Sequence, residues 1–286
     1  MPGKIENFIS RIWSSYYLAI NKFFEIDGAQ RAGAFAFYAF FALFPLVVIL
    51  VTVASVFIDK GQAEEKVISY IESYIPISGE MQRYIFDTVS GVVEARGEAG
   101  VVATLMLVWA AIQFFSTLIF STNRAWGTEI HNWWRLSLKG LLLLGIMIGA
   151  VFVGIAIPIL ARMTQVWLLP AQEFRSLYNV GNFFIPVLVV FLCLSLFYKL
   201  APRRPTKFSE VWAAALCATV LLRMSESLFV VYLARFAKLN AVYGAFGGIM
   251  ALLLWIYLSG CIFIFGACLC AARAETENPV FKQGLF

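Results

Sequence analysis

Residues 239–272 read LNAVYGAFGGIMALLLWIYLSGCIFIFGACLCAA and contain no charged side chain. About 20 apolar residues are enough for a helix to cross a bilayer, so this run of 34 is long enough for a membrane helix. Across all 286 residues, 61% are hydrophobic and 14% are charged, whereas an average soluble domain has roughly 25% charged residues. The sequence therefore predicts an all-α integral membrane protein.

Four further charge-free runs of at least 22 residues lie upstream and predict four more membrane helices. A sixth candidate, 210–233, is interrupted by Arg223 and Glu226. We interpret it as a full crossing, and the alternative is a re-entrant or broken segment. The sequence thus predicts one membrane domain over residues 1–286, with spans at 32–58, 101–121, 140–161, 180–198, 210–233 and 244–271.

The distribution of basic residues predicts the orientation of these spans. With the N-terminus in the cytoplasm, the inside segments hold 13 of the 22 Lys and Arg residues. The largest loop, 59–100, has eight acidic and four basic residues and is then outside. This bias predicts that both termini are in the cytoplasm.

Two amphipathic regions flank the first span. Within residues 1–31, apolar side chains recur at helical spacing, which predicts a cytoplasmic helix that either lies at the membrane interface or packs on the transmembrane bundle. The outer loop 59–100 carries two further amphipathic patterns, which predict two helices over the outer mouth of the bundle.

The residues needed for enzyme chemistry are scarce. His131 is the only histidine, the five cysteines have no metal-ligand spacing, and no phosphate-binding or nucleophile motif is present. We therefore predict no catalytic residue, no metal site and no cofactor. The basic stretch PRRPTK (202–207) fits a positive-inside anchor better than a nucleic-acid site, so no nucleic-acid partner is expected.

The stretch VLLRMSESLFVV (220–231) places two charges inside a predicted span. Arg223 and Glu226 are three residues apart, so a helix puts them on one face, where they can pair. An isolated charge at the bilayer centre costs at least about 2.5–3.5 kcal/mol, so both side chains are expected to face the bundle interior or a wet cavity. Such a pair is either functional or a structural clamp between helices.

Four stretches together resemble the YihY/BrkB family of bacterial inner-membrane proteins. They are RAGAFAFYAFFALFPLVVIL (31–50), WAAIQFFSTLIFSTNRAW (109–126), YKLAPRR (198–204) and NAVYGAFGGIMALLLWIYLSGCIFIFGA (240–267). The residues that carry the likeness are Arg31, Tyr38, Pro45, Asn123, Trp126, Pro202, Tyr243, Gly244, Gly247 and Trp255.

The resemblance implies six membrane helices with both termini in the cytoplasm. It implies no settled activity: relatives have been labelled "ribonuclease BN", others are linked to envelope integrity and serum resistance, and lipid or lipopolysaccharide-related export has been suggested. Where many relatives follow the last Gly-Ala with a glutamate, this chain has Cys268. If that acid matters in the family, its role is lost here or has passed to another residue, such as Glu226.

Three hypotheses follow from these observations. The leading one is a transporter or lipid-handling protein of the envelope, with an intramembrane cavity and Arg223 available for an anionic lipid or solute. The alternative is a non-transporting envelope scaffold or assembly protein, and the minor alternative is a ribonuclease. Membrane lipids are the expected partners, and the sequence also allows a homo-oligomer.

Overall fold

The computed structural model describes residues 2–57, 96–128, 175–236 and 244–277, together with six single positions between 138 and 149. The secondary structure of this part is entirely helical, which confirms the predicted fold class. In chain order the helices are α1 (Pro2–Glu25), α2 (Gly28–Phe57), α3 (Arg96–Ala125), α4 (Arg175–Leu200), α5 (Phe208–Phe236) and α6 (Gly244–Glu277).

Among the described residues, three helical segments are long and apolar enough to cross a membrane: Val101–Ala125, Phe208–Tyr232 and Gly248–Glu277. Within α4, Phe184–Leu200 forms a shorter apolar segment. The sequence left open whether 210–233 is a continuous span, and α5 runs through Arg223 without a break. The count of six spans stays a prediction, because most of 140–161 lies outside the described residues, as do the two helices expected in the outer loop.

The chain divides into two compact units. That residues 1–286 form one membrane domain stays a prediction. The first unit comprises 1–31, 115–223 and 261–286, and the second comprises 32–114 and 224–260.

The core of the first unit is built around Tyr198, whose side chain is fully buried. Its hydroxyl donates to the carbonyl oxygen of Phe263 at 2.8 Å, which satisfies the polar end of a ring in apolar surroundings. Gly266 lies against the same ring: a Cβ there would be 2.9 Å from Cζ of Tyr198 and 3.1 Å from Cβ of Ala218. The absence of a side chain at 266 thus lets the Tyr198 ring reach its acceptor.

The second unit has a similar close approach between aromatic rings and a glycine. A Cβ on Gly260 would be 2.6 Å from Cδ1 of Phe35, and Phe35 also packs on Phe114 with ring centroids 4.6 Å apart. Tyr38 packs edge-on against Trp109 at 6.0 Å. These aromatic contacts hold α2, α3 and α6 together within this unit.

Helix α1 packs on α6 through its polar side, and its Tyr16 contacts Cys217 of α5. The hydroxyls of Ser15 and Thr276 are hydrogen-bonded at 2.8 Å, and Nζ of Lys22 lies 2.7 Å from Oε1 of Glu275. Between these contacts Ala19 is fully buried. The helix therefore docks on the bundle, which was one of the two predicted arrangements.

The apolar side of α1 points away from the protein. Trp13, Tyr17 and Phe24 are 75%, 64% and 70% exposed, and Ile20 is 45% exposed. Their spacing of three and four residues forms a continuous stripe along the helix. An exposed aromatic stripe of this kind suits the headgroup zone of a bilayer, so docking on the bundle and contact with the interface are compatible.

Candidate functional site

Asn123 ties the end of α3 to the loop that precedes α5. It is 1% exposed, and its side-chain nitrogen donates to the carbonyl oxygens of Ile119 at 2.8 Å and Ala201 at 3.0 Å. Its Oδ1 accepts the backbone N–H of Arg203 at 2.8 Å and the hydroxyl of Thr128 at 3.2 Å. Every hydrogen-bonding group of this buried amide is thus used, three of them by the backbone.

An aromatic and ionic cluster adjoins Asn123. The Arg204 guanidinium lies 4.4 Å from the centre of the Trp126 ring, and its Nη2 is 3.4 Å from Oε1 of Glu210. Oε2 of the buried Glu210 also accepts the backbone N–H of Lys207 at 3.1 Å. Glu210 therefore caps the start of α5 in the manner of the glutamate in a capping box.

The structure brings together three of the residues that carry the family resemblance: Asn123, Trp126 and the buried Pro202. Sequence reasoning missed Arg204 and Glu210, because position 207 is Lys and the usual capping-box pattern is therefore absent. The contacts give this cluster a structural role, because they fix the loop 201–207 between two helices.

The other residues of the resemblance lie apart from this cluster. The Arg31 guanidinium sits 4.9 Å above the Phe120 ring, and its Nε donates to the carbonyl oxygen of Ile26. Burial, and then repulsion from Arg124, lower the pKa of Arg31.

The second unit contains Tyr38, the buried Pro45 and Trp255. Gly244 and Gly247 lie in the first turns of α6, and Tyr243 is outside the described residues.

The residues of the charged stretch of α5 differ in how far they are exposed. Arg223 is half-buried, Glu226 is exposed, and Ser225 between them is only 3% exposed. Glu226 is therefore not part of the packed interior of the protein. The expected orientation of Arg223 and Glu226 towards the bundle interior or a wet cavity stays a prediction.

An apolar groove of about 440 Å³ lies in the second unit, between the later part of α5 and the first half of α6. Two buried polar atoms among its lining residues, Oγ of Ser225 and Nε1 of Trp255, have no hydrogen-bond partner within the described ranges. The Trp255 ring stacks on Phe229 with centroids 5.2 Å apart. The lining residues are Ser225, Leu228, Phe229, Val231, Tyr232, Ala251, Leu254, Trp255 and Leu258.

A second groove, of about 770 Å³, lies in the first unit between α1, the start of α5 and the end of α6. We name it the basic groove because Arg11, Lys207 and Arg273 line it from three separate parts of the chain. The other lining residues are Ile12, Ser15, Tyr16, Ser209, Glu210, Trp212, Ala213, Leu216, Leu269, Thr276 and Glu277.

Tyr16 adds no negative charge to the basic groove at neutral pH. Its hydroxyl donates to Sγ of Cys217 at 3.5 Å, and this hydrogen bond, followed by burial, raises the pKa of Tyr16 to about 12. The folded protein therefore holds this phenol in its neutral form.

Metal-binding chemistry finds no support in the part of the chain that the structure describes, since no three His, Cys, Asp or Glu side chains there are grouped to hold an ion. His131 lies outside that part. The expectation of no metal site thus stays a prediction for the chain as a whole.

The sequence is similar to several known proteins. It is 27% identical to a UPF0761 membrane protein of Prosthecochloris aestuarii, over 99% of this chain and 68% of the relative's length. It is 24% identical to the putative ribonuclease-like protein YfkH of Bacillus subtilis, over 96% of this chain and 99% of that protein. No solved structure matches.

The family model described as "Virulence factor BrkB" matches residues 19–284, which is nearly the whole chain. This match confirms the resemblance drawn from the four sequence stretches, and the apolar helices agree with the name "membrane protein" of the first relative. The chain therefore belongs to the BrkB family of membrane proteins.

Proposed function

We propose that this protein handles bilayer lipids, with the apolar groove as the place where an acyl chain binds. The observation that carries the proposal is the pair of buried polar atoms in the apolar wall, Oγ of Ser225 and Nε1 of Trp255. Leaving a buried donor unsatisfied costs about 1–3 kcal/mol, and an acceptor on a bound ligand would remove that cost.

The surroundings of the groove favour a lipid as its occupant. Both helices that form it have the length and composition of membrane spans, over Phe208–Tyr232 and Gly248–Glu277. Inside a membrane, the molecules next to such a groove are lipids. Its volume of about 440 Å³ is in the range of roughly 300–1,000 Å³ that is usual for ligand pockets. An ester carbonyl at the head of an acyl chain would offer the acceptor that Ser225 and Trp255 need.

The charges of the same helix support an anionic lipid in particular. Arg223 and Glu226 stand two residues before and one residue after Ser225. An arginine within a membrane span can bind a phosphate group through its planar guanidinium, and intramembrane charges commonly mark substrate paths. We therefore propose transport or transfer of an anionic lipid at a bacterial inner membrane, with both termini in the cytoplasm.

Photocrosslinking in vesicles tests where the lipid binds. The purified protein is reconstituted with a phospholipid that carries a diazirine in one acyl chain, and the labelled peptides are identified by mass spectrometry. We expect label on 225–232 and 251–258. Leu254→Trp should reduce it by filling the groove from a position that is 63% exposed. Leu188→Trp on α4, at a position 54% exposed and outside the groove, is the matched control.

A second measurement separates transport from the scaffold alternative. Fluorescent phospholipid in the same vesicles reports movement between leaflets through chemical quenching of the outer leaflet. Lipid movement that requires the protein and is slowed by Leu254→Trp supports transport. Labelling of the groove without movement favours an envelope scaffold or assembly protein that binds lipid, and equal labelling of both Trp variants contradicts the lipid site.

The ribonuclease alternative, which the name of the Bacillus subtilis relative suggests, has a separate test. We propose that this chain does not cleave RNA, because its sequence has a single histidine and shows no carboxylate cluster on a polar face. An RNA-cleaving activity that copurifies with the protein and disappears on a point substitution, such as His131→Ala, contradicts this proposal.

A further inference from the structure

We propose that the basic groove binds the phosphate group of an anionic phospholipid at the membrane surface. This site goes beyond the proposed function, because it uses other residues than the apolar groove and requires no lipid transport. Its three cations come from α1, from the loop before α5 and from the last turns of α6, as Arg11, Lys207 and Arg273.

The carboxylates of the groove leave part of this positive charge available. Glu210 already accepts the backbone N–H of Lys207 and lies 3.4 Å from Arg204, and Glu277 lies 3.3 Å from Arg273. In contrast, Arg11 and Lys207 are exposed and make no ion pair with any residue that the structure describes. Two cations are therefore ready to donate hydrogen bonds to phosphate oxygens.

The helix geometry adds to the attraction for an anion. Lys207 immediately precedes α5, a helix of 29 residues whose N-terminal end carries partial positive charge. The side chains of Lys207 and Ser209 at this end line the groove. The Glu210 carboxylate caps this end and offsets part of the field, so the two cations supply most of the attraction in the groove.

The apolar rim favours a lipid phosphate over a soluble one. Ile12, Trp212 and Leu216 line the groove and are 43%, 43% and 47% exposed. Helix α1, which forms one wall, also carries the exposed stripe that contains Trp13 and Tyr17. Aromatic residues of this kind belong at the headgroup level, where lipid phosphates lie. A phospholipid can therefore place its phosphate among the cations and its chains along the rim.

Native mass spectrometry of the detergent-solubilised protein measures this binding. Phosphatidylglycerol or phosphatidylcholine is titrated into wild-type protein, and the bound fraction gives a Kd for each lipid. We expect tighter binding of phosphatidylglycerol. Arg11→Ala and Lys207→Ala should each weaken it about fivefold, the factor for about 1 kcal/mol per basic residue near an anionic surface. The double variant should show a larger loss, and phosphatidylcholine binding should change little.

Lys199→Ala is the matched control, because it removes an exposed lysine that does not line the groove. An equal loss of phosphatidylglycerol in this variant, or no loss in the double variant, overturns the site. Competition by millimolar inorganic phosphate or glycerol phosphate, equal to that by the lipid, overturns the lipid as its source. Leu254→Trp should leave this binding unchanged, so a failure of the apolar groove and a failure of the basic groove are distinguishable.

Discussion

The side-chain amide of Asn123 donates to the backbone carbonyl of Ala201 at 3.0 Å, across 78 residues of sequence. The same side chain accepts the N–H of Arg203, so one buried residue fixes both ends of a turn before α5. This turn also positions Arg204, which lies over Trp126. The cluster therefore gives Asn123 and Trp126, two residues of the family resemblance, structural roles in this protein.

Asn123→Leu should destabilise the protein by roughly 2–4 kcal/mol. The substitution keeps the branched shape of the side chain but removes its hydrogen bonds to the carbonyl of Ala201, the carbonyl of Ile119 and the N–H of Arg203, and each such bond contributes about 0.5–1.5 kcal/mol. Unfolding of the detergent-solubilised protein measures the loss. Thr128→Val removes one hydrogen bond to the same amide and should cost about 1 kcal/mol or less. Equal losses in the two variants would argue against the role of Asn123.

Gly266→Ala should destabilise the first unit by about 1–3 kcal/mol, the usual cost of overpacking a core. The new methyl group would meet the buried Tyr198 ring and Cβ of Ala218. Gly33→Ala is the control, because a Cβ there has no atom within 4 Å. In α2 that change should be neutral or stabilising by about 0.5–1 kcal/mol. Melting temperatures from thermal unfolding measure both effects. A lower melting temperature for Gly33→Ala than for Gly266→Ala would show that the Tyr198 ring moves aside at little cost.

The fold class could be predicted from the sequence because bilayer thickness sets the length of a spanning helix. The side of α1 that contacts the protein could not be inferred in the same way. In water an apolar stripe indicates the buried face, but beside a membrane lipid is an equally good apolar partner. Helix α1 consequently docks through Ser15 and Lys22 and leaves Trp13 exposed.

Site residues could be predicted only where neighbouring residues in the sequence form a recognisable pattern. The charges within α5 stand out in any hydropathy profile, whereas Glu210 lacks the usual capping-box pattern because Lys207 precedes it by three residues. The two grooves have no such pattern, because each is formed by residues far apart in the chain. Ser225 and Trp255 meet around the apolar groove only because α5 packs on α6, and Arg11 and Lys207 share the basic groove only because α1 docks on α5.

A disulfide between positions 15 and 276 should form readily and report the docking of α1. The hydroxyls of Ser15 and Thr276 lie 2.8 Å apart, which brings the two side chains within the reach of a disulfide. The experiment uses Ser15→Cys with Thr276→Cys in a chain whose five native cysteines are replaced by alanine. After mild oxidation, proteolysis between the two sites and mass spectrometry detect the link. The control is Ser14→Cys with Thr276→Cys, because residue 14 is rotated by about 100° around α1 from residue 15. Its disulfide should form much more slowly. Equal rates for the two pairs would indicate that α1 is not docked.

Arg223 and Glu226 should prove energetically coupled in a double-mutant cycle. On α5 the two residues are three apart, so their side chains share one face of the helix. Glu226→Gln leaves the Arg223 charge without its expected counterion, whereas the double replacement by Met and Gln removes both charges. The double variant should therefore be more stable than Glu226→Gln alone.

The size of this effect follows from burial. Breaking a fully buried pair costs about 3–5 kcal/mol, but Glu226 is exposed and Arg223 is only half-buried, so a smaller loss is expected. A coupling of about 0.5 kcal/mol or more distinguishes interacting from independent sites. Melting temperatures of the wild type, Arg223→Met, Glu226→Gln and the double variant in one detergent supply the cycle. Strictly additive changes would mean that the two charges act separately, and the proposed pair would then be wrong.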